Sequence, residues 1–142
     1  MSTVKAKAVQ IAGVTFNGLT RSNHWVPMDG PKEFGGSDAG IRPKELLLLA
    51  LAGCTGSDVA SILAKMREPV TRFEVHINAE MADEHPKVYT DIEIIFKVWG
   101  EGIKTENLEK AINLSSTKYC AVSAMLRPSV KISERYEINP EE

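Results

Sequence analysis

The sequence predicts an α+β fold, and three features carry that prediction. Short alternating segments punctuated by glycine fill the chain up to Met28, a long apolar helix-compatible run follows Pro43, and strand-like and helix-like periodicities then alternate to the C-terminus. With 142 residues, 43% hydrophobic and 25% charged, the chain suits a single domain over 1–142, with antiparallel sheets around a long buried central helix.

From Thr3 to Met28, VKAKAVQI, VTFNGL and HWVPMD read as the extended segments of a small antiparallel meander, broken at Gly13 and around Thr20 to Asn23. Residues 29–41, DGPKEFGGSDAGI, are glycine-rich and without periodicity, so they form a loop into the first helix, well placed to cover a site. Pro43 suits a first helical position and Glu68-Pro69 stops the run, which predicts a helix ending at Arg67. Leu46 to Ala52 is apolar on every side, so this helix must be buried by the domain or by a partner chain.

TRFEVHINAEM places Phe73, Val75, Ile77, Ala79 and Met81 on one face, and VYTDIEIIFKVW places Ile92, Ile94, Phe96 and Val98 on one face. ADEHPK joins them as a hairpin. Apolar residues then recur at Leu108, Ala111 and Ile112 and again at Val122, Met125 and Leu126, with Ser115-Ser116-Thr117 marking a break between two helices. Cys120 opens the second of these. SVKISERYEI alternates Val130, Ile132, Tyr136 and Ile138 as a final strand.

Composition narrows the function classes. Seventeen basic residues against 19 acidic, without a Lys/Arg cluster, leave no electrostatic footprint for nucleic acid. The N-terminus lacks a signal-peptide core and the unbroken apolar stretch Leu46 to Ala52 is too short for a bilayer, which predicts a soluble, cytoplasmic protein with no membrane partner. No two of His24, His76 and His85 stand at metal-ligand spacing and no CxxC occurs, so neither a metal nor another cofactor is expected.

The two cysteines are the residues most worth weighing, because a reducing compartment keeps such thiols free unless they cycle through catalysis or sensing. Cys54 lies within the apolar helix beside Gly53 and Gly56, each of which costs about 1 kcal/mol against alanine there. It reads either as a small core residue or as a reactive thiol. Cys120 lies near a helix start, where free N–H groups favour a thiolate. Mid-helix Cys54 lacks that help and needs a cation, for which Arg21 in a polar turn is the candidate and Arg42 the competitor. Glu45 either complements the helix dipole or orients an arginine by bidentate pairing. Nine positions separate it from Cys54, about 13.5 Å along a straight helix. If both serve one site, Glu45 must come from a partner chain.

RPKELLLLALAGCTGSDV, followed much later by KYCAVSAML, resembles the osmotically inducible protein C and organic hydroperoxide resistance family, and the resemblance runs from about Val14 to Tyr136. TRSNHWVPMDG resembles the early turn that carries the family's arginine. The resemblance implies an intertwined homodimer with interfacial sites. It implies Cys54 as the peroxidatic thiol, Cys120 as the resolving thiol, Arg21 as the thiolate-stabilising cation and Glu45 as its carboxylate partner. The implied activity is thiol-dependent reduction of organic hydroperoxides, with a small dithiol or dithiol protein as reductant. The competing readings are a redox sensor with slow turnover, a ligand-binding dimer with inert cysteines, and a cysteine acyl-transfer enzyme using His24 as base.

Overall fold

The computed structural model describes residues 1–142 in full. Six strands and three α-helices follow the expected order: β1 Ala6–Ala12, β2 Thr15–Thr20, β3 Trp25–Met28, α1 Glu45–Lys65, β4 Arg72–Met81, β5 Tyr89–Trp99, α2 Thr105–Leu114, α3 Ala121–Leu126 and β6 Lys131–Ile138. They make an α+β fold of two three-stranded sheets and one long helix, and the chain divides into two compact units, Met1–Leu47 and Leu48–Glu142.

In the first unit β1, β2 and β3 form the antiparallel meander expected from their alternation. Gly13, at φ +52°, makes the turn between β1 and β2 in a conformation that side chains resist. The following loop is not loose. Asp29 is buried, and its carboxylate accepts the backbone N–H groups of Gly30, Ser37 and Ala39 at 2.8, 3.0 and 3.1 Å. The segment is drawn so tight that a Cβ on Gly36 would lie 2.0 Å from the Gly30 carbonyl oxygen. A glycine-rich stretch expected to cover a site is thus wound round a buried carboxylate. No apolar side chain of this unit is buried, and Val9, Ile11, Phe16, Trp25 and Val26 are exposed.

The second unit holds the core. Leu51, Val59 and Leu63 of α1 meet Ile92, Ile94, Phe96 and Val98 of β5 and Leu108, Ala111 and Ile112 of α2. With Thr55 the buried α1 residues recur every four positions and the β5 residues every two, so each element turns one face inward. Phe73, Val75, Ile77 and Ala79 of β4 pack on the same core, while Met81, expected on that face, is exposed.

β4 and β5 form the expected antiparallel pair with β5 central, but β6 joins β5 in parallel register, Asp91 opposite Lys131 through Val98 opposite Ile138. A parallel neighbour needs a crossover, which the helices between β5 and β6 supply. The break expected at Ser115-Ser116-Thr117 is a π-helical turn, Ser115–Tyr119, continuing α2, and the chain leaves helical geometry only at Cys120.

α1 is long and apolar enough, by length and composition alone, to cross a membrane, although its unbroken apolar run is short. Within one chain only Leu51, Thr55, Val59 and Leu63 are buried, while Leu47 and Leu49 are exposed.

Candidate functional site: a thiol pair with a carboxylate

Residues one helical turn apart share a face, so the buried positions Leu51, Thr55 and Val59 of α1 carry Cys54 and Asp58 beside them toward the interior. Cys120 approaches from α2. The π-turn inserts an extra residue into the helical repeat, so the Cys120 N–H bonds the Ser115 carbonyl, five residues back, at 2.9 Å. Cys120 then takes an extended backbone, φ −74° and ψ 101°, and caps α3 by accepting the Ser123 N–H on its sulfur at 3.4 Å.

A buried polar link fixes the π-turn to α1. The Ser115 hydroxyl donates to Asp58 Oδ2 at 2.8 Å, and because a carboxylate only accepts, the Thr55 hydroxyl donates in turn to Ser115 Oγ, also at 2.8 Å. Ser115 and Thr55 are both buried, and this pairing satisfies them. The result brings together side chains far apart in sequence: Cys54 Sγ, Cys120 Sγ and one Asp58 carboxylate oxygen lie within 4.8 Å of one another. Both thiols are free, Cys120 buried and Cys54 half-buried.

The surroundings of Cys54 pull its acidity in two directions. Burial pushes its pKa up, and the Cys120 thiol pushes it further the same way; the N–H groups of Val122 and Ala121 oppose them without prevailing. Those amides are orphan donors of the first turn of α3. Cys54 therefore does meet a helix N-terminus, that of another helix, which its position inside α1 conceals. The net rise means that within one chain the thiol is held protonated at neutral pH.

Residues 35–135 match the family model described as OsmC-like protein, a stretch that includes both cysteines. The chain belongs to the OsmC-like family. This OsmC-like protein is 36% identical over 135 residues to Protein YhfA of Escherichia coli strain K12, a match spanning 95% of this chain and 98% of that one. A crystal structure of a hypothetical protein from Aquifex aeolicus VF5 superposes over 100% of both chains at 31% identity and a TM-score of 0.85. An organic hydroperoxide resistance protein OsmC from Legionella pneumophila shares the fold at a TM-score of 0.68 and 16% identity, over 96% of this chain and 98% of its own.

In this OsmC-like chain the other candidate residues lie in the first unit. Arg21 is exposed in the turn after β2. Arg42 is committed locally, its guanidinium 2.8 Å from Asp38 and 3.3 Å from the Gly40 carbonyl. Glu45 accepts the Arg42 backbone N–H at 3.2 Å, back across the helix start, as a capping glutamate does. Asp58, Thr55 and Ser115 are the site residues that sequence reasoning missed. The four-residue spacing of Cys54 and Asp58 was the available signal for the first; nothing in the sequence joins Ser115 to either.

Proposed function

We propose that this OsmC-like protein reduces organic hydroperoxides through the Cys54–Cys120 pair. The carrying observation is the convergence of the two sulfurs, from residues 66 positions apart, to within 4.8 Å. The Cys54 thiolate attacks the peroxide, breaking the O–O bond; the alkoxide leaves as an alcohol after taking a proton, and Cys54 becomes a sulfenic acid. Cys120 then displaces water from that sulfur to form a disulfide, which a small dithiol or dithiol protein reduces. The Legionella pneumophila relative in fold, described as an organic hydroperoxide resistance protein, supports the reading.

The raised Cys54 pKa makes a further activating charge necessary, and Arg21 is the cation assigned to it, with Glu45 orienting Arg21. Both residues reach the thiol from the second chain of a homodimer. The exposed Leu47 and Leu49 of α1 and the exposed apolar side chains of the first sheet suit such a partner. A reducing cytoplasm would keep the pair in its free-thiol state.

Intact-mass spectrometry after one equivalent of an organic hydroperoxide tests the chemistry. The expected result is loss of two hydrogens per chain and a Cys54–Cys120 cross-linked peptide. Cys120→Ser should instead stop at the Cys54 sulfenic acid, and Arg21→Ala should slow the reaction without abolishing the cross-link. An unchanged mass with both thiols intact rejects the peroxidase and favours a ligand-binding dimer. Oxidation without sustained turnover in excess dithiol would indicate a redox sensor.

A further inference from the structure

The peroxidase reading uses two thiols and gives Asp58 only its structural bond to Ser115, although its carboxylate lies within 4.8 Å of both sulfurs. A carboxylate there is unhelpful to a thiolate, because like charges at such a distance oppose ionisation. Three potentially anionic donors gathered on one spot call for a cation. We propose that Cys54, Asp58 and Cys120 form a three-ligand site for a borderline-soft divalent cation, Zn²⁺, with the fourth position open to water or a small ligand.

The donor set suits that ion, which takes thiolate sulfur at about 2.3 Å and carboxylate oxygen at about 2.0–2.2 Å. Ligand atoms round a tetrahedral centre of that size stand roughly 3.5–3.8 Å apart. The cluster, with no separation above 4.8 Å, needs a contraction of at most about 1 Å, within reach of side-chain rotation. Cys54 and Asp58 occupy successive turns on one face of α1, which presents two ligands from a rigid element.

The outer arrangement is also that of a ligand site. Ser115 holds Asp58 through Oδ2 and is itself held by Thr55, so the carboxylate is oriented by a buried hydrogen-bond chain. Asp58, though neither cysteine, lines a groove with Ser57, Ser61, Lys65, Lys110 and Tyr119, so an ion would be approached from the Asp58 side. A disulfide would leave Asp58 as sole ligand, so only the dithiol form holds the ion.

The test is titration of tag-free, reduced protein with Zn²⁺ in competition with a chromophoric chelator, with Co²⁺ as a spectroscopic probe. One ion per chain and a thiolate-to-cobalt charge-transfer band are expected. Asp58→Asn, which can still accept from Ser115, should weaken binding at least about tenfold, and Ser115→Ala should weaken it by roughly tenfold through loss of orientation. Circular dichroism of each variant shows that it is folded. Absence of stoichiometric binding by the reduced protein overturns the site, as does an Asp58→Asn variant that binds like the parent. A protein that oxidises with peroxide yet ignores zinc loses only the metal site; one that binds zinc and resists peroxide loses only the peroxidase.

Discussion

The residue with the most hydrogen bonds to lose outside the thiol site is Asp29. Burial pushes its pKa up, but the N–H groups of Ala39, Gly30 and Ser37 and the Thr15 hydroxyl outweigh burial and leave the carboxyl below its ordinary value. A carboxyl depressed in the folded state stabilises that state above its unfolded pKa of about 3.9, and the contribution disappears as pH falls through the folded value. Hydrogen-exchange protection of the Ser37 and Ala39 amides should therefore persist at about pH 5 and collapse only on stronger acidification. Asp29→Ala should lack protection at either pH. Equal protection of Ser37 and Ala39 in the parent and the alanine variant would refute this account of the loop. None of this is visible in DGPKEFGGSDAGI, whose composition signals only a loop; what holds the loop is a set of amides eight and ten residues downstream of Asp29, a relation without a sequence signature. The thiol site divides in the same way. The contexts of Cys54 and Cys120 are local and readable, whereas the approach of the α3 amides to Cys54 is tertiary.

Among the elements, α1 was the most readable, because Pro43 and Glu68-Pro69 bracket it and its apolar content excludes a solvated surface. The alternation of β4 and β5 gave a hairpin for the same reason: period two survives without tertiary context. The direction of β6 did not, since a strand looks alike paired either way, and the π-turn did not, since its serines and threonine also suit a break. The two glycines flanking Cys54 now separate. A Cβ on Gly56 would come to 3.1 Å from Val75 Cγ2, whereas one on Gly53 meets nothing within 4 Å. Gly56→Val should cost about 1–3 kcal/mol through overpacking against β4. Gly53→Ala should stabilise the helix by about 0.5–1 kcal/mol in a lone chain. Urea unfolding of the two variants checks both signs. A loss at Gly53 in place of the gain would put a second chain against that face of α1.

At the scale of the whole molecule, the apolar side chains that are buried all belong to the second unit, while the first unit keeps Val9, Ile11, Phe16, Trp25 and Val26 exposed. The register puts Val9 and Trp25 on one face of the first sheet and Phe16 and Val26 on the other, and a three-stranded sheet with apolar residues uncovered on both faces is marginal in water. In the proposed homodimer part of that apolar surface is covered, so stability becomes a matter of mass action. The midpoint of thermal unfolding should rise with protein concentration, and sedimentation should give twice the chain mass. A midpoint independent of concentration across a hundredfold dilution, together with a monomeric mass, would remove the dimer and with it the route by which Arg21 and Glu45 reach Cys54.

The placement of the core also bears on how the chain is made. Synthesis runs from N- to C-terminus, so the meander emerges before the second unit, carrying exposed valine, phenylalanine and tryptophan and no buried apolar residue of its own. The part able to collapse on itself, from Leu48 onward, is translated last. A chain that has emerged only as far as Leu47 thus carries exposed apolar strands with no interior to bury them, and the core that could shelter the rest forms only from the segment made afterwards.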